Sequence, residues 1–233
     1  TTVSRPGSGR IDVLVDGVRG GGGVTATAVG LLLGNMDIDI TVESFLDLPA
    51  IAGFGTSAAG ALSASFALAD ILGLPAEDAF AAAHLAELRH HTGLGDVAAL
   101  SRGGMTFRRR QGLPPHGQID RLEYSGDIVA AVVGGELRTA DVLHDPRKRA
   151  EIVEAGTECL RKLDLDPTAV SFFTLSREFT ERCGIAGERV REALRAADGL
   201  GMASMIMLGN SVFAAGDLDA IQERWAHLGP PFR

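Results

Sequence analysis

The distribution of apolar and polar positions along the chain predicts a mixture of strands and helices. Short runs in which apolar residues alternate with polar ones, or follow one another without a break, are typical of strands, whereas longer stretches with helical spacing are typical of helices. Runs of the first kind predict strands at residues 11–15, 38–45, 105–109, 128–133, 202–207 and 211–214. Stretches of the second kind predict helices at residues 25–33, 57–72, 76–92, 146–163 and 186–197, with a short helical turn at 97–100. Residues 167–183 are predicted to form either a pair of helices or one long helix. The elements do not follow a regular βαβ repeat, and the pattern therefore favours an α+β fold.

Glycine and proline mark the connections between these elements. The four consecutive glycines Gly20–Gly23 indicate a flexible loop, and residues 49–60 form a second loop that is rich in Gly and Ala. Residues 112–117 carry both Gly and Pro and are predicted to link two halves of the chain.

The composition of the chain excludes several classes of protein. Its 233 residues carry a formal net charge of −8, which argues against a nucleic-acid-binding surface. No apolar run reaches the roughly 18–20 residues of a membrane span, and residues 1–10 lack the apolar segment of a signal peptide. The two cysteines, Cys159 and Cys183, have no metal-ligand spacing and are expected to be buried thiols in a reducing cytosol. We therefore expect a cytoplasmic protein whose partners include neither nucleic acid nor a membrane.

Residues 49–59 have the features of a loop that binds phosphate groups. Gly53 and Gly55 allow the backbone to approach a bulky ligand. Thr56 and Ser57 begin a helix, whose free N–H groups and positive dipole end suit triphosphate oxygens. A hydroxyl at this position can also reach a Mg²⁺ ion that those phosphates hold. The alternative interpretation is a glycine-containing turn into an N-capped helix that binds no ligand.

Two other phosphate-binding motifs fit this loop badly. A Walker loop needs a lysine after its last glycine, and the first lysine of the chain is Lys148. A Rossmann fingerprint needs a third glycine where Ala58 stands, and no predicted strand leads into Gly53. A nicotinamide-binding domain is therefore a disfavoured alternative.

The end of the predicted helix at 76–92 carries a second group of candidate residues. His84, Glu87 and His91 share one face at helical spacing, and Asp96 follows a Gly-Leu-Gly turn that could direct its carboxylate towards Glu87. One carboxylate on a metal ion and another beside a substrate hydroxyl is the arrangement that a kinase needs.

Structural explanations for these residues stay open. Asp96 could serve only as the cap of the helical turn at 97–100, and Glu87 could be a solvated residue paired with Arg89 or His91. The histidines at 84, 90 and 91 do not have the spacing of a metal site. The run Arg108–Arg110 is interpreted as the solvated edge of a strand.

Taken together, these segments resemble the GHMP kinases, a superfamily that includes galactokinase and the homoserine, mevalonate and phosphomevalonate kinases. Pro49–Ala59 resembles the P-x3-G-L-G-S-S-A-A loop of this family, with Phe54 where Leu is usual and Thr56 where the first Ser is usual. His84–Glu87 resembles its A-x-x-A-E segment. Thr92–Asp96, followed by two glycines at 103 and 104, resembles its S-G-x-D…G-G segment.

Three further segments narrow the resemblance to the archaeal pantoate kinases. They are His91–Val97, Gly112–Gly117 and Ala203–Phe213. The resemblance covers nearly the whole chain and implies an ATP-dependent kinase that phosphorylates the primary hydroxyl of (R)-pantoate, giving 4-phosphopantoate for coenzyme A synthesis. The expected partners are ATP, pantoate and Mg²⁺, and a homodimer stays open.

The resemblance also implies roles for individual residues and a division into domains. The phosphates of ATP would bind to Gly53, Gly55, Thr56, Ser57 and Ala58. Ser57 and Glu87 would hold Mg²⁺, and Asp96 would orient or deprotonate the attacking hydroxyl. The implied fold is a domain like the second domain of ribosomal protein S5 at residues 1–118 and a ferredoxin-like domain at 119–233, with the ligands between them.

The sequence departs from the family pattern in two places. The first motif of the family, an N-terminal strand that lines the substrate pocket, is not found, and we expect it to be missing from the start of the sequence. The third motif, usually G-x-G-x-G-G, is represented only by Leu208-Gly209-Asn210, as in pantoate kinases. The alternatives are another GHMP activity, such as a mevalonate, homoserine or sugar kinase, and a relative that binds ligand without turnover.

Overall fold

The structure is a computed structural model that describes residues 2–6, 9–92, 95–136 and 145–233. The chain divides into two compact units. The first contains the residues up to Ala50 and Gly55–Arg121, and the second contains Ile51–Phe54 and Leu122–Arg233.

The first unit contains a four-stranded sheet. Its strands are β1 (Thr2–Pro6), β2 (Ile11–Val15), β3 (Val18–Arg19) and β4 (Ile38–Ser44), in the order β1-β4-β2-β3. The two central strands, β2 and β4, are parallel, with Ile11 opposite Ile40, and both outer strands are antiparallel to their neighbours. Strands β1 and β3 were not predicted from the sequence.

Four helices and a hairpin complete the first unit. The helices are α1 (Gly23–Leu33), α2 (Thr56–Leu72), α3 (Ala76–His90) and α4 (Asp96–Arg102). The hairpin consists of β5 (Met105–Arg110) and β6 (Gln118–Leu122), which form a two-stranded sheet. Residues 112–117 therefore connect two paired strands. The sequence predicted instead that these residues link the two halves of the chain.

Small side chains let the helices of the first unit pack closely. On one side, Val29 and Leu33 of α1 pack with Leu68 of α2 against apolar residues of the sheet. On the other side, a cluster joins α1, α2, α3 and the start of α4 through the buried residues Val24, Ala28, Ala58, Ala61, Leu62, Ala83, Ala86 and Val97. The prevalence of alanine in this cluster brings the helix backbones close together, which fixes the ends of α2, α3 and α4 relative to one another.

The described residues of the second unit form an antiparallel sheet and four helices. The strands β7 (Val129–Val132), β8 (Gly201–Ile206), β9 (Ser211–Gly216) and β10 (Pro231–Phe232) lie in the order β10-β7-β9-β8. The helices are α5 (Pro146–Leu165), α6 (Ala169–Cys183), α7 (Glu188–Ala196) and α8 (Leu218–Trp225). Strand β10 and helix α8 were not predicted, and Ala169–Cys183 form one helix and not a pair.

One apolar cluster fills the core of the second unit. Residues of β7, β8 and β9 pack there against α7 and α8, and Trp225 is fully buried. Its indole Nε1–H donates a 2.8 Å hydrogen bond to the carbonyl of Ala193. Both units mix helices with largely antiparallel sheets, so the predicted α+β class is confirmed. None of the described helices is both long and apolar enough to cross a membrane.

Candidate active site

The carboxylate of Glu87 is the central feature of the candidate site. Helix α3 packs with its alanine-rich face against α1 and α2, and this packing leaves Glu87 only 2% exposed. Among the residues that the structure describes, none forms a hydrogen bond of good geometry with either carboxylate oxygen, although the backbone N–H of Val97 lies near enough to lower the pKa. Burial, and secondly the nearby charge of Asp96, raise the pKa of Glu87 to about 7. The sequence left a solvated Glu87 as an alternative, and the burial of the side chain excludes it.

Asp96 lies near Glu87 and begins helix α4. The N-cap of this helix is Gly95, so Asp96 is its first helical residue and the alternative of a capping Asp96 is wrong. Burial raises the pKa of the Asp96 carboxyl, and the charge of Arg108 opposes this shift. The structure therefore brings the two carboxylates close enough for their charges to interact, as the turn before Asp96 predicted.

Arg108 supplies a positive charge to this group. It lies half-buried on β5, and its charge also lowers the pKa of His84, after the larger effect of burial. The interpretation of Arg108–Arg110 as a solvated edge is thus wrong for Arg108, although Arg109 and Arg110 are exposed. Alternation along a strand was a partial signal, because it separates Arg108 from Arg109 but places Arg108 and Arg110 on the same face.

Helix α2 begins next to the carboxylates with its first N–H groups uncapped. Its N-cap, Gly55, adopts the left-handed conformation, with φ of 66°, and no side chain caps the helix. A Cβ at Gly55 would lie 3.6 Å from Oδ2 of Asp96, so a side chain at the start of α2 would contact that carboxylate, and the glycine leaves this space open. Ser57 is exposed, whereas the side chain of Ala58 is fully buried in the helical cluster. Uncapped N–H groups beside accessible space suit an anionic ligand.

Gly53 has a different environment, within the second unit. A Cβ at Gly53 would lie 2.8 Å from the carbonyl oxygen of Ile206 and 3.1 Å from the nitrogen of Gly209. A Cβ at Gly209 would in turn overlap the carbonyl of Ala52. Close contact between two backbone segments therefore accounts for the glycine at 53 without a ligand. It also explains why Leu208-Gly209-Asn210 keeps its glycine.

The three histidines do not act as one group. His84 lies near enough to Arg108 for that charge to lower its pKa, whereas Nε2 of His90 is 2.7 Å from Oγ1 of Thr27. His91 is the exposed, left-handed C-cap of α3, so the predicted face shared by residues 84, 87 and 91 is wrong for His91. Residues 93 and 94 of the turn before Asp96 lie outside the described residues.

The donor set at this site fits a divalent cation only in part. Among the described residues, no group of three or more His, Cys, Asp or Glu side chains is arranged to hold a metal ion. The two unpartnered oxygens of Glu87 nevertheless require a positive charge or a proton, because an unpaired buried carboxylate is costly. Glu87 therefore fits a metal whose other ligands come from a hydroxyl, a bound phosphate and water, as is usual for Mg²⁺.

The segment that carries these residues matches a known domain family. Residues 20–104, which include α2, Glu87 and Asp96, match the family model of the GHMP kinases N-terminal domain. The chain is 35% identical over 178 residues to the pantoate kinase of Thermococcus kodakarensis, an alignment that covers 76% of this chain and 59% of the relative. It thus spans about three fifths of the length of this curated relative.

Solved structures show the same fold over nearly the whole chain. A phosphotransferase related to the coenzyme A biosynthesis pathway superposes with a TM-score of 0.81 and 28% identity, covering 96% of this chain and 77% of that one. Mevalonate kinase of L. major superposes with a TM-score of 0.62 and 18% identity, covering 95% and 78% respectively. Residues 20–104 are thus similar to the N-terminal domain of the GHMP kinases, and nearly the whole chain shares its fold with these two solved proteins.

Proposed function

We propose that this chain catalyses the ATP-dependent phosphorylation of the primary hydroxyl of (R)-pantoate to 4-phosphopantoate, a step of archaeal coenzyme A biosynthesis in the cytoplasm. The observation that carries the kinase proposal is the buried, unpartnered carboxylate of Glu87 beside Asp96 and the open start of α2. The choice of pantoate rests on the similarity to a pantoate kinase and to a phosphotransferase related to coenzyme A biosynthesis.

The start of α2 is proposed to bind the phosphates of ATP. The backbone N–H groups of Thr56, Ser57 and Ala58 belong to the first turn, which has no capping side chain. They would donate hydrogen bonds to phosphate oxygens, and the helix dipole would favour the negative charge. Gly55 would contribute a close-lying backbone, and Gly53 would hold the preceding loop in place through its backbone contacts.

Ser57 and Glu87 are proposed to hold Mg²⁺. The hydroxyl of Ser57 is exposed at the start of α2, and Glu87 has two oxygens without a hydrogen-bond partner. When bound, the ion would supply positive charge that offsets the charge of the phosphates. It would also provide the counter-charge that the Glu87 carboxylate needs in order to ionise near neutral pH.

Asp96 is proposed to act on the substrate hydroxyl. The hydroxyl oxygen attacks the γ-phosphorus while the bond from this phosphorus to the β,γ-bridging oxygen breaks, and ADP leaves with that oxygen. The Asp96 carboxylate orients the hydroxyl and takes its proton late in the transfer. The charge of Arg108 lowers the pKa of Asp96. The same guanidinium is proposed to bind the carboxylate of pantoate.

A coupled assay of ADP release tests the function and the substrate together. With MgATP, we expect a much higher kcat/KM for (R)-pantoate than for mevalonate, homoserine or an alcohol analogue of pantoate. Removal of the carboxylate should cost more than removal of a methyl group, since it leaves a cationic site without its partner. Equal kcat/KM for mevalonate or homoserine would reject pantoate but keep the kinase. No ADP release with any acid, alcohol or sugar would reject both.

A further inference from the structure

The guanidinium of Arg108 packs against Gly95, whereas Arg109 and Arg110 contact other groups. Gly95 has φ of 113° and ψ of 26°, and a Cβ placed on it would overlap Nη1 of Arg108 and lie 3.0 Å from Nη2. The guanidinium thus occupies the space that any side chain at position 95 would need. Two conditions therefore select glycine here: the positive φ and the guanidinium.

The neighbouring arginines are held by other groups. The guanidinium of Arg109 lies 4.8 Å from the ring centroid of Phe107 and forms an ion pair with Asp120. Arg110 donates hydrogen bonds to the backbone carbonyls of Pro115 and His116. These contacts keep both side chains on the hairpin, whereas Arg108 extends to the start of α4.

Gly95 directly precedes Asp96, so the contact of Arg108 with Gly95 also holds the guanidinium charge near the Asp96 carboxylate. The guanidinium packs on the residue that caps α4, and the first residue of that helix carries the proposed catalytic carboxylate. A shift of Arg108 would change the distance between its charge and Asp96. It would also move the cation proposed to receive the substrate carboxylate.

We infer that Gly95 is a positioning residue, which by lacking a side chain leaves room for the Arg108 guanidinium to pack beside Asp96. The inference rests on the proposed function, because it concerns how that site is held together. Gly95 itself contacts neither the substrate nor ATP in this account, and it acts through Arg108.

A double-mutant cycle separates this role from backbone strain. We expect Gly95→Ala to lower kcat/KM for pantoate by about 10²-fold, which is the order of loss from misplacing a reacting group by about 1 Å. In an Arg108→Ala background the same change should cost much less, namely only the backbone strain of a side chain at positive φ, because the guanidinium that it displaces is gone. Additive losses would mean that Gly95 acts through its backbone alone, and would overturn the inference.

One control variant tests backbone strain at a glycine, and a second tests the loss of an arginine from β5. Gly199 also has a positive φ, 79°, but a Cβ there meets nothing within 4 Å, so Gly199→Ala reproduces strain without displacing a side chain. Arg109→Ala removes an arginine from the same strand. Both controls should retain kcat/KM within a few-fold, and losses as large as that of Gly95→Ala would contradict a specific role for the contact.

A measurement without turnover distinguishes a failed inference from a failed function. The ¹⁵N–¹H resonance of the Arg108 Nε–H group, assigned with Arg108→Lys, should shift in Gly95→Ala and stay in place in Gly199→Ala. Should Gly95→Ala not fold, Gly95→Asn replaces it, since Asn tolerates positive φ better. An unmoved resonance overturns the inference even if the kinase is active. A shifted resonance in a protein that phosphorylates no substrate supports the contact and rejects only the proposed function.

Discussion

The burial of Glu87 at the candidate active site lowers the stability of the folded protein. Glutamate is seldom fully buried unless it is paired, yet both oxygens of Glu87 are buried without a hydrogen-bond partner among the residues that the structure describes. The cost falls on the ionised form, which is why the pKa rises to about 7. A perturbed carboxylate of this kind is typical of functional sites.

The raised pKa of Glu87 predicts a pH dependence of stability. Below pH about 4.5 the residue is protonated in both the folded and unfolded states, so it has no effect. Between pH 4.5 and about 7 the unfolded chain has released this proton while the folded chain keeps it, so about 3 kcal/mol of stability is lost on the scale of 1.36 kcal/mol per pKa unit, and the loss ends once the folded chain also ionises. Without Mg²⁺ and ATP, the free energy of unfolding of the wild type relative to Glu87→Gln should therefore fall between pH 4.5 and about 7.

Urea denaturation of both proteins at several pH values measures this difference. Glu87→Gln should also lose most of its kinase activity while remaining folded, because the amide has no charge for a metal ion. A difference in unfolding free energy that is constant with pH would show that Glu87 ionises normally in the folded chain.

The role of Asp96 gives a second prediction at the residue scale. We expect Asp96→Asn to retain ATP binding and to lower kcat by about 10²–10⁴-fold, the usual contribution of a general base. If Asp96 interacted only with the dipole of α4, Asp96→Asn would lower the free energy of unfolding by at most about 1 kcal/mol. Unchanged kcat, together with a small loss of stability, would therefore assign Asp96 a structural role.

At the scale of elements, the helices of the two units begin differently. Helices α1, α2 and α4 of the first unit start after left-handed glycines and have no side-chain cap. In the second unit, α5, α6 and α8 are capped by Asp145, Thr168 and Asp217, whose side chains accept hydrogen bonds from the first turn. Capping satisfies the first N–H groups internally, whereas a glycine start leaves them available to a ligand.

Helix α2 offers a matched pair of serines to test its proposed function. Ser57→Ala should reduce turnover at limiting Mg²⁺ by at least the roughly 10–100-fold that loss of an outer partner of a metal ligand costs. Ser63 is also exposed on α2, but its hydroxyl donates to the carbonyl of Gly60 within the helix. Ser63→Ala should leave turnover unchanged. Equal turnover in the wild type and Ser57→Ala, titrated with Mg²⁺, would reject Ser57 as a ligand.

At the scale of the whole molecule, each unit has an apolar core of its own. The core of the second unit contains Trp225, the only tryptophan of the chain. We expect Trp225→Ala to destabilise the protein by about 3–5 kcal/mol through the cavity that it leaves. Ile221→Val in the same core should cost about 0.5–1.5 kcal/mol, and Leu165→Ala, at a 77% exposed position, less than about 0.5 kcal/mol.

Urea denaturation followed by circular dichroism measures all three variants. The expected order of their midpoints places Trp225→Ala lowest and Leu165→Ala at the wild-type value. A Trp225→Ala protein as stable as Leu165→Ala would contradict the assignment of Trp225 to a packed core.

The sequence determined the elements with a strong periodic signal and the residues with strong local chemistry. Ile11–Val15, Ile38–Ser44 and the long helices were predicted because their spacing reflects one buried face. The very short strands β3 and β10 were missed because two residues carry too little periodicity to be recognised. The glycines and hydroxyls around α2 were identified for a related reason, since turn geometry and helix starts depend on neighbouring residues.

Only the tertiary structure decided which of these residues meet. Burial of Glu87 depends on the packing of α3 against α1 and α2, and the contact of Arg108 with Gly95 joins positions 13 residues apart on different elements. Spacing along one helix suggested His91 as a partner, but the left-handed end of α3 turns it into solvent. Local sequence specifies local geometry, whereas desolvation and charge–charge contact arise between elements and therefore require the fold.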